Sequence, residues 1–289
     1  FFADLMADAA RASLLPESAE HLAHLHASGA CGRKRAVTIR ASRPPAGGAG
    51  ALRPGEKLVH LQRHGQGFHN LLGDLYRQFG KKFDSTGGNT KGSPYVLPEL
   101  LDPPLTAVGR QQCHGAQPLA RSLSPKLVIV SPLCRAVQTA LLTFDHLLPR
   151  QPPSLLSTLL PSLFTPRTVP FIAVESARET FGRHTCDQRR SVSEIKAEFG
   201  GSVDFSLMDE ETDTLWTPEE REPVSDEVER IYAFLLFLRS RAEDEIALVS
   251  HSSWLFTLLN GVVEVEDSEM GLWFATCEIR SVVLTWEDA

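Results

Sequence analysis

The stretch Leu127-Val128-Ile129-Val130-Ser131-Pro132-Leu133-Cys134-Arg135-Ala136-Val137-Gln138-Thr139-Ala140 decides the fold. Four apolar, mostly β-branched residues in a row read as a strand covered on both faces, because a strand with one wet face alternates apolar and polar positions. Ser131-Pro132 ends that strand. A helix is predicted over Leu133–Leu148, with Ser131 as its N-cap and Pro132 in its first turn.

The same unit recurs on either side. Upstream, Lys57–Gln62 is a short apolar strand and Leu105–Leu123 has helical periodicity. Downstream, Val169–Val174 and Ile246–Ser250 read as strands, and Ser191–Phe199, the amphipathic Ser225–Arg241 and Trp254–Leu259 as helices. Ala275–Ile279 and Ser281–Trp286 read as closing strands. Strands alternating with helices imply an α/β fold, a three-layer sandwich with a mostly parallel central sheet flanked by helices. Lys82–Pro98, Pro149–Pro170 and Ser202–Pro223 are irregular excursions, each a candidate part of a lid.

Charge and composition narrow the function classes. The formal charge is −7, but residues 1–57 are +3, which leaves −10 on the remainder. A body of that sign is a poor partner for nucleic acid or an anionic membrane, although it leaves room for a local basic pocket. The best apolar run, Ala233–Leu238, is far short of the roughly 20 residues that span a bilayer. The cysteines, Cys31, Cys113, Cys134, Cys186 and Cys277, are odd in number and include no C-x-x-C, which points to a reducing compartment rather than a disulfide framework. The chain begins with Phe, as a fragment or a processed product would.

Residues 1–27 hold two short helical patterns, Leu5–Leu14 and Ala19–His26. Residues 28–55 are rich in Gly, Ala, Pro and Arg and contain no acid, so they read as a linker, a basic tail or an organelle-targeting region. Within them Arg33–Ser42 resembles the end of a plastid transit peptide, although four upstream acids count against it. The expected organisation is an N-terminal extension over 1–55 and one catalytic domain over 56–289. The expected setting is intracellular and soluble, in the cytoplasm or alternatively the chloroplast.

Ligands of such sheets bind beyond the carboxyl ends of the strands. Those ends carry Arg63-His64-Gly65, Ser131-Pro132 with Arg135 in the next turn, Glu175 with Arg178-Glu179, and Ser250-His251-Ser252. Two fixed guanidiniums match the oxygens of a phosphate. A neutral imidazole beside them can attack phosphorus in line, while the arginines and the second imidazole stabilise the equatorial oxygens. A protonated carboxylic acid can give its proton to the leaving alkoxide and then act as base toward water. This set calls for no metal and no cofactor, and its partner is a small phosphorylated metabolite. Gly65 is expected to let the backbone turn tightly beside the substrate.

Arg63-His64-Gly65-Gln66 with Asn70 resembles the opening motif of the histidine phosphatase superfamily, which includes the cofactor-dependent phosphoglycerate mutases. The resemblance continues in family order through Asp102-Pro103-Pro104-Leu105-Thr106 with Gly109 and Gln111, Ser131–Ala140, Arg178-Glu179 with Phe181-Gly182, and Val249–Ser252. It implies a phosphoglycerate mutase-like fold. It also implies His64 as the phospho-accepting nucleophile, Arg63, Arg135 and His251 as the phosphate pocket, Glu179 as proton donor, and Asn70, beside Gln66, near the phosphate. Glu175 competes with Glu179 but falls too close to the strand. The segment after the donor departs from the mutase pattern E-R-H-Y-G, reading Glu179-Thr180-Phe181-Gly182-Arg183-His184, which favours a phosphatase. Residues Arg178–Arg190 with Asp204-Phe205-Ser206 are more similar to the phosphoglycerate mutase-like proteins of plants, algae and fungi.

Other readings stay open beside this one. Arg183, Arg189 and Arg190 either bind a second acidic group of the substrate or form a solvated surface cluster. His184 and Cys186 lack the second pair that a zinc site needs. His60, His69 and His114 read as structural or exposed, and Asp209–Asp213 as a solvated loop. A phosphomutase and a non-catalytic phosphate-binding module are the alternative functions. A serine hydrolase is discounted for want of a G-x-S-x-G elbow. Oligomeric state is left open.

Overall fold

The computed structural model describes residues 18–19, 21–30, 33–148 and 168–289. The expected helix Leu5–Leu14, Cys31 and most of the excursion Pro149–Pro170 lie outside these residues. In chain order the main elements are β1 (Val37–Ser42), β2 (Lys57–Arg63), α1 (Phe68–Gln78), α2 (Ala107–Ala120), β3 (Leu127–Val130), α3 (Cys134–Thr143), β4 (Phe171–Ala173), α4 (Val192–Phe199), α5 (Val224–Ser240), β5 (Glu245–Ser250), α6 (Ser252–Thr257), β6 (Glu264–Val265) and β7 (Ile279–Asp288). The seven strands form one sheet in the order β4-β3-β5-β2-β7-β1-β6. The first four neighbours run parallel, β7 is antiparallel to both β2 and β1, and β6 is parallel to β1.

Strand periodicity divides the core. Leu127 and Ile129 of β3, with Ile246 and Leu248 of β5, face one side, where Ile231, Phe234, Leu235 and Leu238 of α5 cover them. Val128 and Val130, with Ala247 and Val249, face the other, under Ala136, Val137 and Ala140 of α3 and Val192, Ile195 and Phe199 of α4. Each strand is buried on both faces, so the apolar run of β3 is continuous rather than alternating. The register brings the strand ends level. Arg63 lies opposite Ser250, and Val130 lies opposite both Val249 and Ala173.

Four expectations change. The stretch 28–55 is not wholly outside the fold, because Val37–Ser42 is a strand between β7 and β6 with Ile39 and Ala41 buried. Of the closing strands Ala275–Ile279 and Ser281–Trp286 only the second forms, as part of β7, while Ala275–Glu278 is a turn that leads into it. The N-cap of α3 is Leu133 rather than Ser131, and Asp102 supplies the missing acceptor, taking the Cys134 N–H at 2.7 Å. The loop around Asp209–Asp213 is tied down. The Asp213 carboxylate accepts from Arg178 at 2.6 Å and from the Arg189 N–H at 2.7 Å, and the Glu210 and Thr212 carbonyls accept from the Arg189 guanidinium. No helix among the described residues is long and apolar enough to cross a membrane.

Candidate active site

His64 follows β2 directly. Its N–H donates to the Ser250 carbonyl at 3.0 Å, and its own carbonyl accepts from the Cys277 N–H at 3.1 Å, so the turn is fastened to β5 and to the approach to β7. The ring Nδ1 lies 2.7 Å from the Gly65 carbonyl oxygen. A carbonyl can only accept, so Nδ1 carries the hydrogen and Nε2 keeps its lone pair. Burial, then the charges of Arg135, His251, His69 and Arg63, hold the imidazole well below its usual pKa. The ring is therefore neutral at physiological pH, with an unprotonated Nε2.

Gly65 is required for a reason other than the expected tight turn. A Cβ there would meet the Gly109 carbonyl oxygen at 2.7 Å, and a Cβ on Gly109 would meet the Gln66 carbonyl oxygen at 2.2 Å. The start of α2 thus lies directly on the backbone that carries His64. Thr106 secures the contact. Its N–H donates to the Gln66 carbonyl at 2.9 Å, and its hydroxyl both donates to Gln66 Oε1 at 2.8 Å and caps Gly109 N–H at 3.0 Å.

Two guanidiniums and a second imidazole lie near the His64 ring; burial, then Arg135, holds the His251 imidazole well below its usual pKa, so it is neutral. Arg63 donates to the Phe274 carbonyl at 2.7 Å. The buried Arg135 donates to the Cys186 carbonyl at 2.6 Å and to Asp187 Oδ1 at 2.8 Å. The ring of His251 stands 5.0 Å from that of His64, centroid to centroid. Its Nε2 is 2.7 Å from Ser131 Oγ, and its buried Nδ1 has no hydrogen-bond partner.

Glu179 is nearly buried and lines the same cavity. Its carboxyl group accepts the N–H groups of Thr180, Ser253 and Trp254 at 3.1, 3.3 and 3.2 Å. Burial, then Asp187, nevertheless raises its pKa above the usual carboxylate range, which favours a carboxylic acid with a proton to give. Glu175 is engaged elsewhere, paired with Arg178 and, at 3.2 Å, with Arg189.

Gln66 and Asn70 line the cavity as expected. Asn70 also has the plainer role of a helix-start residue, since its Oδ1 accepts the Gly67 N–H at 2.9 Å. The three remaining arginines do not reach it. Arg183 donates to the Gly87 and Gly88 carbonyls at 2.8 and 2.7 Å and so fastens the excursion 82–98 over the site. Arg189 is spent on Glu175 and on the carbonyls of the acidic loop. Arg190 pairs with Asp102 at 3.0 Å and Glu198 at 2.9 Å.

The structure adds residues that the sequence does not mark. His69, read as structural or exposed, is buried with its ring centroid 5.5 Å from that of His64 and lines the cavity. Arg221, from the acidic excursion, donates to Asp187 Oδ2 at 2.8 Å. One carboxylate therefore aims two guanidiniums. The excursion 82–98 contributes Ser85, Thr86, Gly88 and Tyr95, and the segment 21–27 contributes His21 and His24. The cavity they enclose measures about 440 Å³.

His184, Cys186 and Asp187 bring possible metal ligands within 4.8 Å of one another. The donor set does not suit a cation. Both Asp187 oxygens already accept from guanidiniums, and burial followed by Asp187 pushes the Cys186 thiol well above its usual pKa, so it stays protonated.

Residues 59–155 match the family described as histidine phosphatase superfamily, branch 1. Two proteins of Arabidopsis thaliana named phosphoglycerate mutase-like protein and phosphoglycerate mutase-like protein 1 are 34% and 35% identical to the chain. Each alignment covers 79% of this chain, and 84% and 81% of the relatives. A Saccharomyces cerevisiae protein named probable phosphoglycerate mutase PMU1 is 28% identical over 71% of this chain and 72% of its own length.

Proposed function

Because this chain belongs to the histidine phosphatase superfamily, we propose that it hydrolyses a phosphomonoester through a phosphohistidine at His64, without a metal. The observation that carries the reading is the state of the His64 ring. Nδ1–H is held by the Gly65 carbonyl, which leaves the lone pair of Nε2 for attack on phosphorus.

In the first step Nε2 attacks phosphorus and the ester P–O bond breaks. Arg63, Arg135 and His251 hold the equatorial oxygens, and Glu179 gives its proton to the leaving alkoxide. In the second step the Glu179 carboxylate takes a proton from water. The resulting hydroxide attacks phosphorus, the P–N bond breaks, and inorganic phosphate leaves. His64 and protonated Glu179 are restored. The guanidiniums supply the positive field that a metal provides elsewhere.

The wild-type chain is expected to hydrolyse p-nitrophenyl phosphate in EDTA and to form an acid-labile phosphoenzyme. His64→Ala is expected to lose both. Full activity in that variant would overturn the reading. Hydrolysis is favoured over phosphoryl transfer between positions of one phosphoglycerate because Arg183, Arg189 and Arg190, the candidates for a carboxylate subsite, are engaged away from the cavity. Adding phosphoglycerate with its bisphosphate primer distinguishes the two, by free phosphate against isomer.

A further inference from the structure

The cavity is larger than a phosphate requires, and its far side has a chemistry of its own. Part of that wall is the segment 21–30, upstream of the residues that match the family. Leu25 anchors it, fully buried with Val228 in a small cluster of its own. The His21 ring stands edge-on to Phe256 and Trp273, with centroids 5.6 and 5.7 Å away. A chain of neutral polar groups starts there. His21 Nε2 is 2.8 Å from Ser253 Oγ, which is 3.3 Å from Thr180 Oγ1, and Thr180 donates to Glu227 Oε1 at 3.1 Å.

The charged side chains on this side are already matched. Arg221 pairs with Asp187 at 2.8 Å, Arg77 with Asp74 at 3.2 Å, and Glu222 with Arg230 at 2.6 Å. Burial and then Arg221 hold His21 down to about 4, and burial and then Glu222 push Glu227 up to about 8, so both are uncharged near neutral pH. A second anionic group on a substrate would meet Asp74, Asp187 and Glu222 in the same wall, with only Arg77 and Arg221 among the described residues there to offset them. Hydroxyl groups would instead meet an imidazole, two alcohols and a carboxylic acid, all of which can pair with them.

Building on the phosphatase reading above, we propose that this far side, walled by the N-terminal segment through His21, selects monophosphates of uncharged, hydroxyl-rich alcohols and rejects those that carry a second anionic group. The test compares glucose 6-phosphate with 6-phosphogluconate, which match in carbon count and phosphate position; the second carries a carboxylate at C1 of an open chain where the first has its ring hemiacetal. The full chain is expected to favour glucose 6-phosphate in kcat/KM by at least about tenfold. His21→Ala is expected to raise KM for glucose 6-phosphate several-fold while the inhibition constant of inorganic phosphate stays unchanged, which separates lost recognition from lost folding. Equal or reversed preference between the two esters overturns the proposal. So does an unchanged KM in His21→Ala, or an equal weakening of inorganic phosphate. If p-nitrophenyl phosphate is not hydrolysed and no phosphoenzyme forms, the phosphatase reading itself falls. If it is hydrolysed and the two sugar esters are not distinguished, only the selectivity proposal falls.

Discussion

At the residue scale, the site separates two protonation states that must coexist. In the proposed reaction His64 has to be neutral to attack, and Glu179 has to be neutral to donate. Burial favours the uncharged form of both, lowering the first from its ordinary 6.5 and raising the second from its ordinary 4.5. The sign of each limb follows. As pH falls, kcat/KM is lost when His64 takes a proton, and the lowered pKa moves that limb below 6.5. As pH rises, it is lost when Glu179 ionises, and the raised pKa moves that limb above 4.5. A pH–rate profile on p-nitrophenyl phosphate is expected to show both displacements. Glu179→Gln is expected to remove the alkaline limb and to lower kcat by about 100-fold or more; an unchanged alkaline limb would move the donor role elsewhere. Arg63, His64 and His251 were legible because they sit at or directly after a strand end, and Arg135 and Glu179 because they lie within about six residues of one, where backbone order largely fixes position. Arg221 and Asp187 were not, because they reach the cavity from irregular segments. Loop residues carry no periodicity from which placement can be read.

Among the elements, α5 carries a buried carboxyl group whose cost depends on pH. Burial, with Glu222 adding to it, raises Glu227 from 4.5 to about 8. A folded-state pKa above the unfolded value means that the folded chain holds this proton more tightly. The stabilisation is therefore complete below about 4.5 and is lost as pH rises toward about 8, with a slope of at most about 1.4 kcal/mol per pH unit. Glu227→Gln cannot titrate, so its urea midpoint is expected to change less than that of the wild type over this interval. Identical slopes would show that Glu227 titrates normally. The parallel strands were legible to within about two residues because a short continuous apolar run, bounded by turn residues and rich in β-branched side chains, fits a strand covered on both faces better than a helix. Helix α1 escaped although Phe68, Leu71, Leu72, Leu75 and Tyr76 recur at helical spacing; that stripe is not buried in the core, where only His69 and Gly73 of this helix lie. Strand β1 escaped for another reason. Val37-Thr38-Ile39-Arg40-Ala41-Ser42 has the alternation of a half-buried strand, but the basic, acid-free stretch around it has the composition of a tail.

For the whole molecule, the uneven charge proves to be organised by the fold rather than by chain position. Arg35, Arg40 and Arg43 of the basic stretch pair with Glu229, Glu264 and Asp267 of the acidic body. Removing residues up to Ser42 is expected to expose the edge of β7 and the apolar side that Ile39 and Ala41 cover, so the shortened chain should aggregate; a monomeric, active product, seen by light scattering, would contradict this. The strand order also has a bearing on biosynthesis. Val37 lies opposite Asp288, and Lys57 of β2 lies opposite Leu284. Both early strands therefore wait for a partner made more than two hundred residues later, an interval of tens of seconds at ordinary translation rates. During that time β1 has only the two-residue β6 ahead of β7, and β2 has only β5. Nascent chains halted before residue 279 should leave residues 37–42 open to proteases and to holding chaperones, and the sheet should close in a single late event when β7 arrives.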